Sequence, residues 1–183
     1  MVLSRIKELR KKNEPQAQDL SNSYILIVED DPDQMAMLVD FAESEIKRLM
    51  DDDNITALKR DKLKQVKLLT ASNLKSLTNA VSDHKNILLA LLDGNIPDTK
   101  GGTAHDQFIK TGHKITGEHH TVNVVTKYLP DTPITMISSM SRFQKIVHQY
   151  YKKHHDLSIN FIHKKDAPII VRNIAFYLRQ YLK

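Results

Sequence analysis

Short apolar runs, each ending abruptly in a charged or hydroxyl side chain, recur along this chain. The groups that end them are Glu29 and Asp30, Asp93, Ser138, and Lys164. Apolar runs of this length, separated by helix-like stretches, are typical of buried parallel strands, and ligands of open α/β sheets bind beyond the carboxyl ends of the strands. The pattern therefore predicts that three acids, a hydroxyl and an ammonium group converge on one pocket.

The composition fits one soluble domain. A chain of 183 residues can bury roughly 70% of its unfolded surface without disulfides or a structural metal. It has no cysteine, no apolar run long enough to span a membrane and no signal-peptide core near its start. We therefore expect a cytoplasmic protein that does not enter a membrane.

The charge of the chain is basic but dispersed. Lys and Arg number 27 against 22 Asp and Glu, which gives a net charge of +5. An excess of this sign is compatible with acidic partners. Because the basic residues are spread along the whole chain instead of forming one block, we expect no direct nucleic-acid binding by this chain.

Apolar periodicity predicts five strands that alternate with helices over residues 23–183. The predicted strands are Tyr24 to Val28, Val66 to Ala71, Ile87 to Leu92, Ile134 to Ile137 and Ile159 to Ile162. The first predicted helix has Asp31 as its cap and Pro32 in its first turn. The other predicted helices run from Leu74 to Val81 with Ser72 as the cap and occur around residues 122–129, 143–150 and 169–182. Six successive apolar residues cannot alternate between core and solvent, so the third strand should be central. The alternation predicts an α/β fold with a doubly wound, five-stranded parallel sheet and right-handed crossovers.

Residues 1–22 lie outside this pattern and form an N-terminal extension. Leu3, Ile6 and Leu9 make one helical stripe, and Pro15 prevents the helix from continuing. Such a narrow stripe gains little by folding alone. The extension is therefore expected to be a frayed or docked helix, or else an arm through which the protein forms a homodimer.

The spacing of the residues at the strand ends resembles that of a known family. The third strand is followed by Asp93-x-Asn95-x-Pro97-x-x-x-Gly101. This motif, with Glu29-Asp30 after the first strand, Ser138 after the fourth and Lys164 after the fifth, resembles the CheY-like receiver domain of two-component response regulators. The resemblance covers residues 23–183. It implies a flavodoxin-like strand order, 2-1-3-4-5, and a phosphoryl group transferred to Asp93 from a sensor histidine kinase or a histidine phosphotransfer protein.

The resemblance also implies a metal ion beside the phosphoacceptor. Three carboxylates near an incoming phosphoryl group repel it, so the pocket needs a compensating charge. Mg²⁺ prefers oxygen ligands and keeps several waters. We expect Asp30, Asp93 and the main-chain carbonyl of Asn95 to bind it, with Glu29 acting mostly through water.

Lys164 and Ser138 are expected to complete the site, and Phe161 is expected to change position when the site is phosphorylated. Lys164 would neutralise phosphate oxygens, and Ser138 would donate a hydrogen bond to them. Phe161 stands three residues before Lys164, where receivers carry an aromatic switch residue. If Ser138 moves toward the phosphoryl group, the Phe161 ring can turn inward and change the face made by the helix around residues 143–150, the fifth strand and the last helix. That face would control binding of a downstream protein. Phe161 could equally be an ordinary core aromatic residue, and it could serve both purposes if its ring has two positions.

The chain departs from the receiver pattern in three places. Lys165 follows Lys164 where receivers usually have a proline after a cis peptide bond. A cis bond here would cost roughly 2.5 to 4 kcal/mol, so either the fold meets that cost or the bond is trans and Lys164 approaches differently. Insertions lengthen the chain at about residues 43–65 and 99–120. The second insertion holds four histidines whose spacing matches no common zinc template, so we expect them to face solvent or a partner.

Two other functions stay open at this point. A phosphohydrolase of the haloacid dehalogenase type also uses a strand-end Asp with Mg²⁺, but those enzymes resemble one another in a second Asp two residues on, and Asn95 cannot transfer protons. A receiver-shaped interaction module would work without phosphorylation, and its mark would be the loss of a pocket residue. We expect no separate enzymatic activity, because the protein would catalyse only its own phosphorylation and dephosphorylation.

Overall fold

The fold is known from a computed structural model, which describes residues 22–93, 96, 121–139 and 159–183. The predictions for the N-terminal extension, for Asn95, for the second insertion and for the helix around residues 143–150 lie outside these ranges. No helix among the described residues is long and apolar enough to cross a membrane.

The strands of the described part of the chain form one parallel sheet. They are β1 (Ser23–Val28), β2 (Val66–Ala71), β3 (Ile87–Asp93), β4 (Ile134–Ser138) and β5 (Asn160–His163). Their order across the sheet is β2-β1-β3-β4-β5, and every neighbouring pair is parallel. The predicted flavodoxin-like order and the central position of β3 are therefore confirmed.

Helices cover both faces of the sheet. They are α1 (Pro32–Met50), α2 (Ala57–Lys64), α3 (Leu74–Asp83), α4 (Thr121–Tyr128) and α5 (Ala167–Tyr181). Alternate residues of β1 point to opposite faces: Leu26 and Val28 pack with α3 and α4, whereas Ile25 and Ile27 pack with α1, α2 and α5. Because both faces are buried, the central strands are apolar throughout, as the sequence indicated.

The helices that follow β1 and β2 begin at side-chain caps. Asp31 accepts hydrogen bonds from the N–H groups of Asp33 (2.9 Å) and Gln34 (3.1 Å), as predicted. At α3 the prediction of Ser72 as the cap is wrong. Asn73 caps this helix and forms a reciprocal capping box with Ser76 (2.9 Å), because Asn73 is the residue directly before the first helical position.

The first crossover contains two helices rather than one. The helix α1 ends at Met50, and α2 begins at Ala57 after its own cap, Thr56. The Arg60 guanidinium donates to the carbonyl oxygens of Met50 (2.9 Å) and Asp52 (3.1 Å), so α2 satisfies the Met50 acceptor at the end of α1. The helix Ala57–Lys64 is thus a separate helix and does not extend α1.

Candidate functional site

The acids predicted at the strand ends lie together at the carboxyl edge of the sheet. Val28 pairs with Leu92, so Glu29 and Asp93 follow adjacent positions of β1 and β3. One carboxylate oxygen from each of Glu29, Asp30 and Asp93 lies within 4.8 Å of the others. Glu29 is 1% exposed and Asp93 6% exposed, whereas Asp30 is exposed to solvent. Two of the three acids therefore belong to the protein interior.

Lys164 reaches into this cluster from the end of β5. Its ammonium nitrogen donates to Glu29 Oε1 and to Asp93 Oδ2, both at 3.0 Å, and it lies 2.8 Å from Glu29 Oε2. The side chain is 15% exposed. The main chain of Lys164 is held by a hydrogen bond from its N–H to the carbonyl of Ser138 (3.2 Å). The structure thus brings Lys164 to the acids even though Lys165, not proline, follows it.

The ionisation of Glu29 and of Lys164 is shifted by their burial and by the charges around them. Burial, and after it the negative charge of Asp93, raise the pKa of Glu29 to about 7, even though the hydrogen bond from Lys164 works in the opposite direction. Burial would lower the pKa of Lys164, but its hydrogen bond to Glu29 and the charge of Asp93 outweigh burial, so the pKa of Lys164 is raised. The raised pKa of Lys164 therefore reflects the acids around it, and the raised pKa of Glu29 reflects first its burial and then the charge of Asp93.

The donor set fits a divalent cation. When all three carboxylates are ionised, they and the Lys164 ammonium together carry two negative charges among the described residues, which one divalent ion balances. Glu29 Oε2 is buried, and among the described residues its contact is the ion pair with Lys164, without a hydrogen bond of good geometry. Oxygen ligands of this kind, partly buried and partly open to water through Asp30, are those that Mg²⁺ prefers.

The two residues expected to report on the site lie on β4 and β5. Ser138 is buried at the end of β4. Ile137, one position earlier, pairs with Asp93, so Ser138 lies just beyond the pairing partner of the acid. Phe161 pairs with Met136 and is partly buried against the core. Their proposed motion stays a prediction.

Sequence reasoning missed one residue that contacts the phosphoacceptor candidate. The hydroxyl of Thr121 donates a hydrogen bond of 3.2 Å to the main-chain carbonyl of Asp93. Thr121 is fully buried at the start of α4. The signal in the sequence was weak, because Thr121 ends a long polar stretch and only the apolar spacing of Val122 and Val125 marks the helix.

A cavity of about 280 Å³ opens beside the acids. It is lined by Glu29, Asp30, Pro32, Met35, Thr70, Ser72 and Ser76. The starts of α1 and α3 form its walls, so a molecule that approaches Asp30 meets hydroxyl groups and two apolar side chains, those of Pro32 and Met35. The cavity gives access to Glu29 and Asp30, two of the three acids.

Comparisons with known proteins agree on the fold. No protein-family model matches the chain, and no curated protein does. Among solved structures, the receiver domain of NtrX from Brucella abortus is 17% identical, with a TM-score of 0.52 over 85% of this chain and 98% of that one. The non-phosphorylated receiver domain of the stress response regulator RcsB from Escherichia coli is 13% identical, with a TM-score of 0.50 over 87% of this chain and 95% of that one.

The chain has the fold of a response-regulator receiver domain. A third similar structure, the N-terminal domain of a response regulator/sensory box/GGDEF 3-domain protein from Carboxydothermus hydrogenoformans, is 13% identical, with a TM-score of 0.51 over 87% of this chain and 96% of that one. At such identities the likeness concerns the receiver fold alone. The roles of Glu29, Asp30, Asp93 and Lys164 therefore rest on the geometry of this site.

Proposed function

We propose that this protein is a response-regulator receiver that takes a phosphoryl group onto Asp93. The observation that carries the proposal is the charge arrangement at the carboxyl edge of the sheet. In the described part of the chain, two buried acids contact the Lys164 ammonium, and a third, exposed acid lies beside them. A structural ion pair needs no third acid, whereas a site for Mg²⁺ and a phosphoryl group does.

The phosphoryl donor would be a phosphohistidine of a sensor histidine kinase or of a histidine phosphotransfer protein. An Asp93 carboxylate oxygen attacks phosphorus, the P–N bond of the donor breaks, and the imidazole leaves with the electron pair. Later attack by water on phosphorus returns inorganic phosphate and the free carboxylate. The protein would catalyse only these two reactions on itself.

The side chains around Asp93 would position the reactants and balance charge. Lys164 already donates to Asp93 Oδ2 (3.0 Å), so it can follow negative charge onto the phosphoryl oxygens. Glu29, Asp30 and Asp93, with the main-chain carbonyl of Asn95, would hold Mg²⁺. When bound, this ion would offset the repulsion between the carboxylates and the incoming phosphoryl group.

Phosphorylation would be read out through Ser138 and Phe161. Ser138 would donate to the phosphoryl group, and the Phe161 ring would move into the space it leaves. Couplings of this kind are typically about 1 to 3 kcal/mol, enough to shift a population between two states. The result would be a changed surface for a downstream protein partner in the cytoplasm.

The proposal is tested by intact-mass measurement after incubation with acetyl phosphate. With Mg²⁺, the parent protein should gain the mass of one phosphoryl group. The gain should be absent with EDTA in place of Mg²⁺, and absent in Asp93→Asn, which keeps the side-chain shape but loses the nucleophile. A parent protein that binds Mg²⁺ and gains no mass would contradict the proposal and favour an interaction module without phosphorylation.

A further inference from the structure

Thr121 makes a contact that differs from those of other threonines on the described helices. The hydroxyls of Thr78 and Thr126 donate to carbonyls of their own helices, those of Leu74 (2.8 Å) and Asn123 (3.3 Å). Such bonds within a helix are local and common. Thr121 instead reaches out of its helix to the carbonyl of Asp93, which lies 28 positions earlier in the chain.

The surroundings of this bond make it costly to lose. Thr121 is 0% exposed and Asp93 is 6% exposed. A valine at position 121 would have nearly the same shape but would donate no hydrogen bond to the Asp93 carbonyl. Losing a donor to a buried carbonyl carries a desolvation cost that a change at the surface does not.

The hydrogen bond from Thr121 lies at the end of β3. The strand β3 ends at Asp93. Lys164 fixes the side chain of Asp93 through Oδ2, and Thr121 fixes its main chain through the carbonyl oxygen. Because the peptide group is planar, holding this carbonyl restricts the main-chain conformation of Asp93.

We infer that Thr121 is a positioning residue for phosphoryl transfer. This inference rests on the proposed function of Asp93. The Thr121 hydroxyl holds the main chain of the phosphoacceptor, so that its carboxylate keeps the direction needed for attack on phosphorus. Small displacements of a reacting group reduce rates strongly, since the attack geometry is narrow.

The test compares phosphorylation rates of four proteins with acetyl phosphate at saturating Mg²⁺, followed by intact mass. They are the parent, Thr121→Val, Thr121→Ser and the matched control Thr126→Val, which removes a hydroxyl from the same helix. Thr121→Val should react about tenfold more slowly, equivalent to about 1.4 kcal/mol. Thr121→Ser and Thr126→Val should react at the parental rate. If Thr121→Val does not fold, as judged by circular dichroism, Thr121→Ala replaces it with the same expectation.

The possible results separate the inference from the proposed function. A Thr121→Val protein that is folded and reacts at the parental rate would overturn the inference while the function of Asp93 stands. Equal slowing in Thr126→Val would also overturn it, because the effect would then come from the stability of α4. A parent protein that takes up no phosphoryl group overturns the proposed function, and the inference with it.

Discussion

The two ends of β1 bury polar groups in opposite ways. At its start, the Ser23 hydroxyl is fully buried, donates to the Tyr181 hydroxyl (3.0 Å) and accepts from the Asn86 amide (2.9 Å). At the other end, Glu29 is buried to the same degree but lies in a cluster with a net negative charge. The polar groups at the start of β1 are neutral and hydrogen-bond to one another. The acids at its other end carry more negative charge than the Lys164 ammonium balances.

This difference matches the proposed function, in which the carboxyl end of the sheet binds a cation and the amino end contributes to stability alone. A buried hydroxyl and amide that satisfy each other stabilise the fold by a modest amount. Buried carboxylates in excess of their cationic partner cost stability unless a further cation is bound. The carboxyl edge of the sheet therefore carries the proposed site, and the amino edge does not.

The largest expected effect comes from removing the ammonium group of Lys164 at the charged end. Lys164→Ala leaves Glu29 and Asp93 buried without an ammonium group, so the free energy of unfolding should fall by about 3 kcal/mol. Urea unfolding at neutral pH with EDTA measures this, with Lys165→Ala, an exposed neighbour, as the control. Equal stability of the two variants would show that the acids are not held by Lys164.

A substitution of Glu29 tests whether the excess of negative charge at this end of the sheet serves metal binding. Glu29→Gln keeps the shape of the side chain but removes one of the three charges, so Mg²⁺ should bind roughly tenfold more weakly. Calorimetric titration measures the affinity, and Glu43→Gln on the exposed side of α1 is the control. Unchanged affinity in Glu29→Gln would remove Glu29 from the metal site.

The neutral end should affect stability and nothing else. Ser23→Ala breaks the bonds to Tyr181 and Asn86, which should cost about 1 kcal/mol of the free energy of unfolding. Mg²⁺ affinity and phosphoryl uptake should stay at parental values. Ser82→Ala, an exposed serine at the end of α3, serves as the control for unfolding. A Ser23→Ala protein with weakened Mg²⁺ binding would break the distinction between the two ends.

The smallest effect is expected for Asp31, an exposed acid at the charged end whose carboxylate already accepts hydrogen bonds from main-chain N–H groups. Hydrogen bonds from the N–H groups of Gln34 and Asp33 hold the pKa of Asp31 below its ordinary value of 3.8. Asp31 therefore contributes stability that is present above pH 3.8 and is lost as pH falls through the lowered pKa. Asp31→Asn keeps a capping side chain but loses the charge. The variant should therefore have a lower free energy of unfolding than the parent protein at pH 7, and this difference should be smaller at pH 3. A deficit that does not change with pH would mean that the charge of Asp31 contributes nothing.

The sequence predicted the strands and the converging acids well, because both depend on local patterns. A run such as Ile87 to Leu92 defines a buried strand by itself, and parallel strands place their carboxyl ends together by geometry. The cap of α3 was misplaced by one residue, since Ser72 and Asn73 are both good caps and only the helix start decides between them. Thr121 was not predicted, because its partner is distant in the chain and a buried threonine has no local signature.

The most direct test of the central claim is to locate the phosphoryl group on the chain. After reaction with acetyl phosphate and Mg²⁺, borohydride reduces a phosphoaspartate to homoserine, and mass spectrometry of tryptic peptides finds its position. The peptide between Lys85 and Lys100 holds both Asp93 and Asp98, and fragmentation separates them. We predict homoserine at Asp93. Homoserine at Asp98 or Asp30 instead, or none in protein that binds Mg²⁺, would contradict the assignment of Asp93 as the phosphoacceptor.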